Sequence, residues 1–397
     1  MDKKDIANIR KQFKVDNDLL KISDIFNVYI MKDSTDVYHF QHQPFDLLDR
    51  DQQELFMNNF KKVLTGQLDE KLFELKFSRD VEDPAQLTLH KALLSNDNEE
   101  WMAYMLKLVE RMIDDHPYEK DIVVTFITAE YRKPMKKSNP DAEESSRDSV
   151  YSNPFILCSV NQTEEPKKEI QFDYIEKEFK YNIQVDPVID LKKPLTGFLF
   201  PTITDGAADV NHVLYSTGKA NEPDPHFIED VLNAEEAMTA ETDKAVFEEV
   251  VREVVGGQIN PSTLSKVYGE IHRSVEENED DEPPKLDYKD VERVLTDSGQ
   301  KVEQEQVKVA FQRFAQDDRY ELKASNIVPK YNSKSIKIQT KVANISISPQ
   351  DLEFVRQVNY KGKRALMIEI DEDAEIDGFK MIPEAFGQED KEEETDE

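Results

Sequence analysis

Apolar side chains at Ile6, Ile9 and Phe13 recur at i, i+3 and i+7, the spacing of one face of a short helix. The period then falls to two. Ile22 to Ile30 and Val37 to Gln41 are rich in β-branched and aromatic residues around Asp33-Ser34-Thr35-Asp36, which predicts strand, turn and strand. Asp51 to Leu64 returns to helical spacing through Leu55, Phe56, Phe60, Val63 and Leu64, with Gly66 placed to end the helix in a left-handed conformation. Phe73, Leu75 and Phe77 alternate with Glu74 and Lys76 as in a half-buried strand. Ser95, Asn98 and Glu99 form an expected N-terminal cap for a helix that buries Trp101, Met105, Leu108, Val109 and Met112 and stops at Pro117. Asp121 to Ala129 is a nearly continuous apolar strand, covered on both faces and a candidate for the sheet centre.

Lys133 to Ser149 reads as a solvated loop, after which Phe155 to Val160 resumes the sheet and Ile170 to Phe179 supplies a further strand. From Ala234 the composition shifts to Ala, Glu, Lys and Val. Thr242 to Val255 predicts a helix closed by Gly256-Gly257, and Asn260-Pro261 starts another through Leu264, Val267, Ile271 and Val275. Glu276 to Pro284 is a charged spacer, and Asp287 to Leu295 with Gln304 to Phe314 completes a group of about four helices. Beyond Pro329 the period is two again: Ile336 and Ile338, Ile345 and Ile347, then Leu366, Ile368 and Ile370 predict three short strands in one small sheet. Helices and hairpins without regular βαβ alternation give an α+β fold class, with a mixed sheet in the N-terminal domain, a helical middle and a small C-terminal β-sheet. The expected domains are residues 1–235, a helical region 236–330, a small β domain 331–386 and an acidic tail 387–397.

Charge narrows the function classes. With 51 basic and 83 acidic side chains the formal charge is −32, a surface that repels phosphate backbones and anionic lipid. Direct nonspecific nucleic-acid binding is not expected, and no run of Lys and Arg exceeds two. The opening MDKKDIANIRKQF has no apolar leader and no window approaches 18 apolar residues, so neither export nor membrane insertion is expected and the cytoplasm is the default location. One cysteine, Cys158, excludes an intramolecular disulfide; its apolar neighbours read it as a buried side chain rather than a nucleophile.

Thr196 to Thr217 carries only two charged side chains, Asp205 and Asp209, in a chain that is 34% charged. With His212 they form the candidate catalytic set. If the segment after Gly206 is helical, Asp205 and Asp209 sit one turn apart and His212 follows three positions on, a face able to hold a divalent metal or to run acid–base chemistry. Against this stands ordinary turn chemistry at Asp205-Gly206, a capping role for Asp209 and a hydrogen-bonded His212. The other histidines, His39, His42, His90, His116, His226 and His272, read as surface or capping residues. Phosphate-loop, dinucleotide, zincin, nucleophile-elbow and EF-hand signatures are absent from the sequence, and no cofactor is named by a motif.

Gly197 to Pro201 (GFLFP), Asp205, Leu214 to Thr217 (LYST) and Glu222 to Leu232 (EPDPHFIEDVL) resemble a domain-of-unknown-function family of uncharacterised proteins from low-GC Gram-positive bacteria. The opening MDKKDIANIRKQF fits, as do NIV at Asn326 to Val328, IKIQT at Ile336 to Thr340, ISISP at Ile345 to Pro349 and MIEID at Met367 to Asp371. The resemblance spans essentially the whole chain and implies no activity and no site residue. Where the family resemblance leads one to expect a Cys-rich early strand, this chain has Ile25-Phe26-Asn27-Val28-Tyr29, which removes support for a thiol role. In layout the chain is also similar to nucleoid-associated proteins. The expected function is a cytoplasmic interaction or regulatory protein with a protein partner and no catalysis of its own, its oligomeric state left open. The alternatives are a metal-dependent hydrolase or transferase using Asp205, Asp209 and His212, and a nucleoid-associated protein acting through protein partners.

Overall fold

The computed structural model describes residues 1–79, 81–134, 150–164, 168–183, 186–235, 237–278, 284–315, 320–329, 331, 333–360, 362–376 and 379–381. Chain contacts divide it into two compact units, Met1–Thr242 and Asp243–Glu397. Most of the loop expected at 133–149, much of the charged spacer and all of the acidic tail 387–397 lie outside the described residues.

The first unit contains, in chain order, α1 (Lys3–Gln12), β1 (Leu20–Ile30), β2 (Val37–Pro44), α2 (Arg50–Val63), β3 (Leu72–Lys76), α3 (Ala85–Leu94), α4 (Asn98–Ile113), β4 (Ile122–Pro134), β5 (Val150–Glu164), β6 (Lys168–Asp173), β7 (Glu178–Ile183), β8 (Val188–Ile189), β9 (Thr196–Phe200), β10 (Thr202–Thr204), β11 (Ala207–Asp209) and β12 (His212–Thr217). The main sheet runs β2-β1-β4-β5-β9-β12-β3, with β8 also on β5, and its pairs are antiparallel. The expected mixed sheet is thus corrected to an antiparallel one: the connections through α2 and through α3 and α4 do return the chain to the same end, but they set β3 beside β12 and β4 between β1 and β5, next to strands of opposite direction.

Period two sorts the side chains between two layers. Phe126, Ile156, Cys158, Phe198, Phe200, Val213 and Tyr215 pack with α3 and α4, and with a π-helical turn Phe227–Val231, on one face. Ile127, Phe155, Leu157, Leu199 and Leu214 pack with α1 and α2 on the other. A sheet covered on both faces has no solvent side, which is why β4 and β5 read as apolar runs. β5 is the middle strand of the seven, with β4 beside it.

Local signals were partly displaced. α2 begins in a capping box between Asp49 and Gln52, but Gly66 does not end it in a left-handed turn. Gly66 is instead required by close approach, since a Cβ there would lie 2.4 Å from Lys71 Cβ. The cap of α4 is Asp97, whose carboxylate accepts from the Glu99 amide, while the Ser95 hydroxyl donates to the Glu100 carboxylate. α3 escaped the periodicity reading because it buries Ala85, Thr88, Leu89 and Ala92 and leaves Leu87 and Leu94 exposed, so its large side chains do not mark its inner face.

The second unit, by itself, carries most of α5 (Ala240–Val255), then α6 (Pro261–Glu276), β13 (Lys285–Leu286), α7 (Tyr288–Asp297), α8 (Gln304–Ala315), β14 (Leu322–Lys323) and α9 (Ala324–Ile327). Asn260 caps α6, Pro261 opens it, and Gly256 leaves α5 at a positive φ of 99°, as the sequence predicts. The strands that follow are β15 (Ile336–Gln339), β16 (Asn344–Ile347), β17 (Val355–Tyr360), β18 (Lys363–Ile368), β19 (Glu375–Ile376) and β20 (Phe379–Lys380). They form separate hairpins, β15–β16, β17–β18 and β19–β20, rather than the single three-stranded sheet expected. A 3₁₀ turn at Pro349–Phe354 separates the first two; it buries Leu352 and accepts a hydrogen bond from Ser265 of α6 at the Pro349 carbonyl, 3.1 Å.

Candidate functional site

The sparsely charged stretch is a piece of the fold core. All five residues of β9 are buried, and β12 beside it buries Val213 to Thr217. Between them the chain turns back in the hairpin β10–β11. Asp205 and Gly206 form its tip with φ of 51° and 89°, the pair of positive values that a two-residue hairpin turn demands and that Asp-Gly supplies. The helix on which that convergence was conditional does not form: the segment after Gly206 is strand, and Asp205-Gly206 is the turn.

That correction changes which residues meet. Asp209 lies at the far end of β11, opposite Thr202, about 10 Å from the turn at roughly 3.3 Å per residue. The tip is tied elsewhere: the Asp205 amide donates to Asp5 of α1 at 3.3 Å, and the Asn153 side chain donates to the Gly206 carbonyl at 3.0 Å. Asp209 and His212 do come together, with Nδ1 of the ring donating to Oδ2 at 2.6 Å. The Asn211 amide donates to the other carboxylate oxygen at 2.9 Å.

Burial pushes the Asp209 carboxyl up, but the Asn211 amide and the His212 ring outweigh it and hold the group below the ordinary carboxylate value. Asp209 is thus an acceptor that orients the imidazole and leaves Nε2 as the ring's base, the wrong setting for a general acid. Among the described residues no group of three or more His, Cys, Asp and Glu side chains is placed to hold a metal ion.

Among the described residues, four of the remaining six histidines have ionisable side-chain partners. His42 meets Asp24 across β1–β2 at 3.0 Å, and His272 meets Glu276 one helical turn on at 3.3 Å. His226 stacks on His116 with ring centroids 4.3 Å apart and contacts Asp230 at 3.0 Å. Cys158 is fully buried, and burial raises its thiol well above the usual value, which keeps it protonated and inert.

A different feature stands out on the surface. In the hairpin β6–β7, Ile170 pairs with Tyr181 and Phe172 with Phe179, so these four side chains share one face. They are 72%, 61%, 42% and 79% exposed, and Tyr174 and Ile175 in the connecting turn are 85% and 89% exposed. Phe172 packs against Tyr174 and Phe179, each at 5.2 Å between centroids. Asp173 and Lys180, which pair at 2.8 Å, belong to the opposite, polar side. The single strand expected over Ile170 to Phe179 is thus a hairpin; alternation on both sides of Tyr174-Ile175-Glu176-Lys177 is its signal in the sequence.

No helix among the described residues is long and apolar enough to cross a membrane. No curated protein and no solved structure matches the chain. One family does, over residues 1–379 of 397, and it is described as a domain of unknown function, DUF4317. With the match running from α1 through β19, the chain belongs to the DUF4317 family.

Proposed function

We propose that this chain is a cytoplasmic interaction or regulatory protein without catalysis of its own, and that the apolar face of β6–β7 is where it pairs with a second copy of itself. The observation that carries the reading is that face. An isolated two-stranded hairpin is marginal in water, and one with its aromatic side bare gains its stability by being covered. Taking about 150–250 Å² for a large side chain, the four aromatics and two isoleucines of the face and its turn leave roughly 800 Å² uncovered, the share one partner brings to a stable interface. The strip is uncharged and identical on every copy, so a two-fold axis through it makes an isologous contact, and the −32 charge of each chain is screened beyond about 8 Å at physiological salt.

Sedimentation equilibrium at micromolar concentration tests this. The native chain is expected to be a dimer and Phe179→Ser/Tyr181→Ser a monomer with unchanged far-ultraviolet circular dichroism. A monomeric native chain overturns the pairing.

The metal-dependent hydrolase or transferase built on Asp205, Asp209 and His212 is the competing reading, and the 2.6 Å contact of Asp209 with His212 is what favours it. Under the interaction reading, Asp209→Ala and His212→Ala cost about 1–3 kcal/mol through the lost hydrogen bonds and leave assembly intact. A rise in Tm with added divalent metal, lost in both variants, would replace the interaction reading with the enzymatic one.

A further inference from the structure

The helices α1 and α2 bring together basic residues that lie about 50 positions apart. Arg10 and Lys11 close α1, Lys61 and Lys62 close α2, and the two ends are adjacent because an Arg10 Nη1 donates to the Leu64 carbonyl at 3.3 Å. Together with Lys14, Asn58 and Thr65 these side chains line a cleft of about 500 Å³. Five of its seven lining residues are cations and none is a carboxylate, in a chain with 83 acidic and 51 basic side chains. Among the described residues none of the five cations is held in an ion pair.

Helix chemistry accounts for part of this. Basic side chains in a last turn offset the partial negative charge of the helix C-terminus. It does not account for Lys14, which follows α1, nor for five cations left unmatched on one concave surface of an acidic protein. A cleft walled by one sign of charge concentrates the field and recruits the opposite charge. The donor set suits phosphate: four ammonium groups, the Asn58 amide and the guanidinium N–H groups of Arg10 other than the one given to Leu64, while the Thr65 hydroxyl is already donated to the Lys61 carbonyl; the volume suits a small molecule rather than a polymer. A second hollow of about 260 Å³ shares Lys14, Asn58 and Lys61 and adds Arg50 and Glu54 above the buried Phe13 and Met57, so the trough continues as a polar surface.

We propose that the cleft between the C-terminal ends of α1 and α2 binds a small ligand carrying two or more phosphate groups. The inference is independent of the hairpin pairing.

Isothermal titration of the full chain with inorganic triphosphate is the test. Saturable one-to-one binding that weakens as salt rises is expected, with orthophosphate binding at least tenfold more weakly. Lys14→Gln/Lys61→Gln removes two side chains that make no described hydrogen bond, so folding is kept while affinity falls tenfold or more; Lys91→Gln, on α3 across the sheet, leaves it unchanged. No saturable binding, equal loss in Lys91→Gln, or a short polyglutamate binding as tightly as triphosphate overturns the proposal.

Discussion

Replacing Phe198 by alanine is expected to remove about 3–5 kcal/mol of stability from the first unit. The ring is fully buried on the α3/α4 face, with Phe126 and Phe227 each at 6.4 Å between centroids, so it joins β4 and β9 to the π-helical turn. Gly197, one position earlier, tests the other face: a Cβ there would lie 2.4 Å from the Cys158 carbonyl oxygen and 2.9 Å from Val63 Cγ1. Backbone cannot yield as a side-chain tip can, so Gly197→Ala is expected to cost about 1–3 kcal/mol through overpacking. Because the chain has two units and need not unfold in one step, the readout is amide exchange in peptides from β4, β5 and β9. Native-like protection in Phe198→Ala would mean that this segment is not the core support described above.

Asp243→Ala is expected to be the most damaging single change in the second unit, at about 3 kcal/mol. The carboxylate is 1% exposed and accepts from the Tyr320 hydroxyl at 2.6 Å, the Asn326 amide at 2.6 Å and the Lys323 backbone N–H at 3.4 Å. It thereby ties the start of α5 to β14 and α9. Truncation removes the acceptor of the buried Tyr320 hydroxyl and of the half-buried Asn326 amide; Asp243→Asn keeps an acceptor and is expected to cost about 1 kcal/mol. Burial raises the Asp243 carboxyl above its ordinary value, and the three hydrogen bonds lower it only in part. The folded state therefore holds this proton more readily than the unfolded one. Its stabilising contribution is full below the unfolded carboxylate pKa and is lost as pH rises through the folded value. Exchange protection of α5 and α9 should fall across that window in the native chain and stay flat in Asp243→Asn. An unchanged slope in the asparagine variant would assign the pH dependence to another group.

Particular residues show how far sequence reading reached. Gly197 to Phe200 and Leu214 to Thr217 were marked by lack of charge, and burial is the reason for it. Asp205, Asp209 and His212 were marked by residue type alone, and type does not report backbone geometry. The same spacing that would align them on a helix spreads Asp205 and Asp209 along a hairpin, leaving only Asp209 and His212 in contact. The Asp-Gly pair held the correct answer, since it is a turn signal before it is a site signal.

Hydrophobic periodicity by itself determined the α+β class, most of the helices and the strands of the sheet, because period 2 and period 3.6 are imposed by backbone geometry one segment at a time. What no segment carries is its neighbour. Arg10-Lys11 and Lys61-Lys62 are unremarkable pairs in the sequence and become a five-cation cleft only because two helices end side by side. Ile170, Phe172, Phe179 and Tyr181 declare an amphipathic hairpin, yet only the tertiary structure decides that its apolar face is left uncovered. Covering a face or concentrating charge depends on contacts between distant residues, and those are settled when the chain packs.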